Sequence, residues 1–320
     1  MRRVLITGLT GQDGGYLGEL LTRQGWEVHG LVQPGDPQLD ATRALLPDAV
    51  VHDGDLTDAP AVEKLMADIE PDHVYNLGGI SSVAFSWQEP VLTGQVSGIG
   101  AAILLEAAWG LQERLGRPVR FLQASSAEIF GRPLRSPQDE QTPIAPVTPY
   151  GAAKAYAHCL VEVYRQRGMH ASTAILFNHE SPRRPTTFVT RKITQSAALI
   201  ARGEQERLEL GNLDARRDWG WAPDYVDAMH RAISHDEPSD YVVATGTARS
   251  VADFVAAAFA YVGIEDWHSR VEVDESLLRA AEAVEQVGDA ARARSVLGWA
   301  PTVSFEEMVG RMVAVDLDPT

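Results

Sequence analysis

Four side chains able to move protons fall within one short run. Ser126 and Glu128 lie in FLQASSAEIFG, and Tyr150 and Lys154 in TPYGAAK. A phenol and an amine four residues apart on a helix share a face, so Tyr150 and Lys154 can point at one substrate. A tyrosine titrates near ~10 and is a poor base at neutral pH, but a neighbouring ammonium favours the phenolate and lowers that value. Lys154 is expected to be that ammonium. The same spacing also suits an ordinary pair on a helix surface, so its chemistry depends on what the rest of the chain builds around it.

The elements upstream supply that context. RVLITG, from Arg3 to Gly8, reads as a short buried strand, and YLGELLTRQG as a helix. Between them Gly8, Gly11 and Gly14 stand in a G-x-x-G-x-x-G turn that also carries Gln12 and Asp13. Strand, glycine turn and helix form the phosphate-cradling opening of a dinucleotide fold. The next strand, EVHGLV, leads to Gln33-Pro34-Gly35-Asp36. An acidic residue there suits the ribose hydroxyls of NAD and basic residues suit the 2′-phosphate of NADP, and this stretch chooses neither. Asp55 and Leu56, after a strand from Ala49 to His52, are placed to meet the adenine, and Leu77 and Gly78 close the strand DHVYNLGG beside the ribose.

Strands alternating with helices predict an α/β fold of Rossmann type, a doubly wound parallel sheet with ligands at the carboxyl ends of its strands. A long helix from about Val91 to Leu115 and another running from Tyr150 to about Arg167 belong to it. ILFNHE reads as one strand. After it the periodicity becomes irregular, and two loops rich in cations appear, SPRRPTTFVTRKI and GNLDARRDWG. Residues 1–177 are therefore assigned mainly to the cofactor domain, with 214–246 returning to it. Residues 178–320 are assigned mainly to a smaller, mixed substrate lobe.

Composition narrows the classes. The 320 residues include 45% hydrophobic and 22% charged side chains, as in soluble globular proteins. A net charge of −16 argues against a nucleic-acid partner, which needs a basic stripe. No signal peptide or membrane span is read, and a cytoplasmic address is expected. The single cysteine, Cys159, excludes an internal disulfide and is expected to be buried; nine histidines show no metal spacing, so no metal is expected.

Taken together, TGLTGQDGGYL, GDLTD, VYNLGG, QASSAEIFG, PYGAAKAYAH, ILFNHESPRR, FVTRKI and GNLDARRDWG resemble the extended short-chain dehydrogenase/reductase superfamily and, within it, the GDP-mannose 4,6-dehydratases. The resemblance implies a lyase of deoxysugar biosynthesis. It oxidises GDP-mannose at C4, eliminates water across C5 and C6, and returns the hydride to C6, giving GDP-4-keto-6-deoxymannose. It implies Tyr150 as the base at the C4 hydroxyl, Ser126 orienting it, Lys154 holding phenol and ribose, and Glu128 taking the C5 proton. For the substrate it implies Asn178, Lys192 and Arg217 at the diphosphate, with Arg183, Arg184, Arg191 and Arg216 nearby, and Arg279 and Glu282 at the nucleotide. The implied cofactor is NADP, with NAD the alternative, and the implied assembly a homodimer or homotetramer.

Three positions depart from the family pattern. Gln33-Pro34-Gly35 lacks its arginines, Ala127 replaces a serine, and Ala280 replaces a proline. A dehydratase for another GDP-sugar, a nucleotide-sugar epimerase or reductase, and a non-catalytic dinucleotide sensor are the competing readings.

Overall fold

The computed structural model describes residues 2–274, 277 and 285–318. Its strands in chain order are β1 (Arg3–Thr7), β2 (Glu27–Val32), β3 (Val50–Asp53), β4 (His73–Asn76), β5 (Arg120–Ser126), β6 (Ala171–Leu176), β7 (Asn178–Glu180), β8 (Leu208–Leu210), β9 (Arg216–Trp221), β10 (Asp240–Val243), β11 (Ala248–Ser250), β12 (Val271–Val273) and β13 (Glu285–Gln286). Seven of them form one sheet in the order β10-β6-β5-β4-β1-β2-β3, every pair parallel. The strand order reverses between β1 and β4, which opens a crevice at their carboxyl ends. The doubly wound parallel sheet expected from the alternation is present.

Parallel strands covered on both faces read as near-continuous apolar runs, as β1 does in VLI, and β6 is buried at every position although it carries Ser172 and Thr173. Leu17 and Leu21 of the helix Gln12–Arg23 join Tyr225 and Met229 of the helix Ala222–Ser234 over one face. Val62, Met66, Leu104, Leu111 and Val161 cover the other.

The long helix expected near Val91 runs from Pro90 to Leu115 with a π-helical segment inside it at Gly94–Ile99. That segment turns Ser97 so that its hydroxyl accepts from the Ile80 amide at 3.0 Å, fixing the loop after β4. By length and composition alone this helix could cross a membrane, and half of its apolar window is buried within the fold.

ILFNHE is not one strand. The chain leaves the central sheet after Leu176, and β7 pairs instead with β9 in a four-stranded sheet completed by β11 and β13. Phe177, with its amide bonded to the Val243 carbonyl at 3.1 Å, is the crossing point. Of residues 214–246, Asp240–Val243 lies in the central sheet and Arg216–Trp221 in the smaller one. A third core, with Ile193, Trp219, Phe254 and Met312, fills the space beneath the smaller sheet. Cys159 is exposed, contrary to expectation. The helix Pro149–Gln166 buries Ala155, His158 and Val161, which leaves Cys159 on the outward side with Tyr156 and Val163.

Candidate active site

The glycine turn is built by close backbone approach. Gly8 takes φ of +70°, and its amide bonds to the Leu31 carbonyl while its own carbonyl accepts from the Gly11 amide. A Cβ on Gly14 would stand 2.2 Å from the Gly8 oxygen, so only glycine lets the helix start this close to β1. No side chain caps that helix at Gly11, which leaves first-turn amides to face an anion. Across the crevice, Thr7 Oγ1 donates to Asn76 at 2.7 Å and accepts from the Gly78 amide at 2.9 Å, and Asn76 donates to Gln123 at 2.8 Å. This chain of bonds ties the ends of β1 and β4 to the middle of β5, each bond contributing about 0.5–1.5 kcal/mol. Leu56 packs against Gly78, where an added Cβ would come within 2.9 Å of its side chain. A glycine cradle, uncapped amides and an apolar edge at Leu56 together fit a dinucleotide.

The side chains of Gln12 and Asp13 point away from that turn, toward β7. Gln12 donates to the His179 carbonyl at 3.1 Å and accepts from Ser181 at 2.7 Å. Asp13 Oδ2 lies 2.8 Å from His179 Nε2, while His179 Nδ1 meets the Phe177 carbonyl at 2.8 Å and the imidazole stacks on Tyr225. The pairing raises the His179 pKa and lowers that of Asp13, in both cases against a burial effect that favours neutral forms. His179 was not among the residues singled out from the sequence. The only signal for it there was its place in NHESPRR, because its partner lies 166 positions away.

Ser126, Glu128, Tyr150 and Lys154 converge at the end of β5. Ser126 ends that strand, and its hydroxyl accepts from the Glu128 amide at 3.2 Å, starting a 3-10 turn over Ala127–Phe130. Thr148 caps the next helix by accepting from the Gly151 amide at 3.0 Å, with Pro149 in its first turn. Gly151 lets this helix approach the turn, since a Cβ there would lie 2.5 Å from the Glu128 carbonyl oxygen. Tyr150 thereby reaches a hydrogen bond with Ser126, and feels the charges of Glu128, Arg184 and Asp13.

One expectation is reversed here. The Tyr150 phenol is pushed up to about 12, chiefly by burial, with the Ser126 hydrogen bond and Arg184 pulling the other way. Lys154 is itself buried, its pKa lowered to about 8, and its amine donates to the Ala124 carbonyl at 2.9 Å. Its Nζ lies 5.9 Å from the centre of the phenol ring. Desolvation penalises both charged forms, and for each group it is the largest cause of the shift.

The cations named for the diphosphate are dispersed. Arg191 is buried in an ion pair with Asp316 at the back of its helix. Arg183 lies over Tyr16 and pairs with Glu19, and Arg216 pairs with Glu285 and donates to the Ala248 carbonyl. Arg184 pairs with buried Glu180 at 3.3 Å and rests on Phe188, near enough to Tyr150 to act on its titration. Arg217 is half-buried on β9, two residues before Trp219, which is the Cα partner of Asn178 on β7, and Lys192 is half-buried on the helix Val189–Ala201. Arg279 and Glu282 lie outside the described residues.

Comparison with known proteins agrees with this architecture. The family model described as GDP-mannose 4,6 dehydratase matches residues 5–312. GDP-mannose 4,6 dehydratase 1 of Arabidopsis thaliana is 43% identical over 328 residues, spanning 98% of this chain and 89% of the relative. GDP-mannose 4,6 dehydratase of Homo sapiens is 41% identical over 344 residues, spanning 98% and 91%. Among solved structures, RMD from Pseudomonas aeruginosa complexed with NADPH superposes with a TM-score of 0.82 at 25% identity, each chain covered completely. With the glycine cradle at β1, the Ser126, Glu128, Tyr150 and Lys154 cluster at β5 and a family match over nearly its whole length, this chain belongs to the GDP-mannose 4,6-dehydratase family.

Proposed function

We infer that the chain is a hydro-lyase converting GDP-mannose to GDP-4-keto-6-deoxymannose with a nicotinamide dinucleotide. The observation that carries this reading is Glu128 beside the Ser126 and Tyr150 pair. Oxidation at C4 requires a base at the C4 hydroxyl, which Tyr150 supplies; it has no use for a carboxylate as well. When bound, the nicotinamide supplies a hydride acceptor and donor, so the conversion has no net redox change. Tyr150, once its own proton has left to solvent, takes the C4 hydroxyl proton while Ser126 orients that hydroxyl, and Lys154 holds the ribose. Glu128 takes the C5 proton, acidic once C4 is a ketone, and passes it to the C6 hydroxyl as that group leaves as water.

Asn178, Lys192 and Arg217 bind the diphosphate, with Arg184 at the reacting end, and Arg279 and Glu282 remain assigned to the nucleotide by family resemblance. The central sheet is the cofactor domain, and the smaller sheet with the third core is the nucleotide-sugar lobe. Gly8, Gly11, Gly14, Asp55, Leu56, Leu77 and Gly78 hold the dinucleotide, and Gln12 and Asp13 hold the turn to β7. NADP is the cofactor that the family resemblance supports. NAD is the second reading, favoured by Asp36, whose carboxylate accepts from Thr10 at 2.6 Å just past β2 and would repel a 2′-phosphate. Two copies associate through the exposed apolar face formed by Trp87, Val91, Ile99, Tyr156 and Val163, in the cytoplasm and without membrane or nucleic acid.

The test is incubation of the purified protein with GDP-mannose and catalytic NADP+ or NAD+. The expected product has lost one water and carries a 4-keto-6-deoxy sugar by NMR. Unchanged substrate with both cofactors, in folded protein, rejects the reading, and binding titrations with the two cofactors decide between them.

A further inference from the structure

Glu128 has a partner from the far side of the site. The carboxamide of Gln286 on β13 donates to Glu128 Oε1 at 3.1 Å, across 158 positions of sequence. Gln286 is 2% exposed while Glu128 is partly exposed, so the donor is held in the interior and the carboxylate still faces the site. Ala127, between Ser126 and Glu128, contributes no hydroxyl, and the donor to the carboxylate comes from another element altogether.

The strand that presents Gln286 is held on several sides. Val287 exchanges hydrogen bonds with Gln138, donating to its side chain at 3.2 Å and accepting from its amide at 2.8 Å. The Gly288 amide donates to buried Asp218 at 3.3 Å, and an added Cβ there would meet Ala244 at 2.5 Å and Phe177 at 2.7 Å. On its other side β13 pairs in parallel with β9, where Gln286 is the Cα partner of Arg217. Gln286 therefore links the base to the strand that carries a diphosphate-binding cation.

We propose that Gln286 is a positioning residue for the elimination step, orienting the Glu128 carboxylate toward the C5 proton and tying it to the nucleotide-sugar strand β9. This rests on the dehydratase reading. A carboxylate on a short turn has rotational freedom, and a misplacement of about 1 Å at a reacting group costs up to ~100-fold in rate. A buried amide donor removes that freedom without adding charge.

The experiment measures water loss from GDP-mannose against pH, together with GDP-mannose binding by titration, for the native protein, Gln286→Leu and Gln286→Glu. Gln286→Leu is expected to lower kcat by about 10–100-fold while leaving GDP-mannose binding and thermal stability near native. Gln286→Glu places a second carboxylate beside the first, and the acid limb of kcat is expected to move up by about one pH unit or more. Native kcat in Gln286→Leu overturns the proposal. So does a loss that follows weakened binding or unfolding with the acid limb of Gln286→Glu unmoved, because a purely structural role predicts that pattern. Failure of the native protein to dehydrate GDP-mannose overturns the dehydratase reading itself, and the two failures are thereby distinguished.

Discussion

Lys154 Nζ stands 5.9 Å from the centre of the Tyr150 ring and donates to the Ala124 carbonyl, so the amine is anchored to β5 and the phenol lies beside it without a direct bond. Burial pushes the phenol up to about 12 and the amine down to about 8. The free protein thus holds a protonated phenol at neutral pH, and the amine loses its charge above about 8. Tyrosinate absorbance of the native protein minus that of Tyr150→Phe is expected to develop only toward pH 12. A Tyr150 ionisation near neutrality in the free protein would contradict this electrostatic picture.

The buried pair of Asp13 and His179 makes stability depend on pH. His179 is raised from 6.5, so its contribution is complete below 6.5 and is lost as pH rises through the raised value. Asp13 is lowered from 3.8, so its contribution is complete above 3.8 and is lost as pH falls through the lowered value. The pair stabilises fully between those limits. Thermal melts of Asp13→Asn are expected to show a deficit of about 3 kcal/mol near pH 5.5 that shrinks toward alkaline pH. A deficit independent of pH would mean that the pair is not ionised.

Gly14→Ala brings a Cβ to 2.2 Å from the Gly8 oxygen and 2.7 Å from the Leu9 Cα, contacts that backbone must move to relieve. A destabilisation of about 1–3 kcal/mol is expected, with dinucleotide binding weakened more than unfolding alone explains. Denaturant titration and cofactor titration on the same preparation separate the two effects. Native-like values in both would remove the close-approach argument.

Glu128→Gln retains the shape of the side chain and removes the base. Water loss is expected to fall by about 100-fold to 10,000-fold, while reduction of the bound cofactor by GDP-mannose persists in a single turnover. Mass analysis of the sugar follows the first quantity and cofactor absorbance the second. Dehydration at the native rate would place the base elsewhere.

Much of the fold was legible because its signals are local. Gly8, Gly11 and Gly14 follow an apolar strand directly, and TPYGAAK carries its own cap, proline and helix start. ILFNHE divides between two sheets for a physical reason. Periodicity is alike in both halves, and only pairing with β9 in place of β10 separates Asn178–Glu180 from Ala171–Leu176. Cys159 is exposed because an apolar helix leaves one face outward, and which face depends on the sheet it covers.

The sequence by itself determined the doubly wound sheet, the glycine cradle and the proximity of Ser126, Glu128, Tyr150 and Lys154, since each depends on spacing within one or two adjacent elements. Tertiary structure alone decided their electrostatics and second partners. Burial, which raises the phenol and lowers the amine, depends on elements packed from all sides. The contacts of Asp13 with His179 and of Glu128 with Gln286 join residues 166 and 158 positions apart, and no local pattern encodes a distance closed by the packing of two sheets.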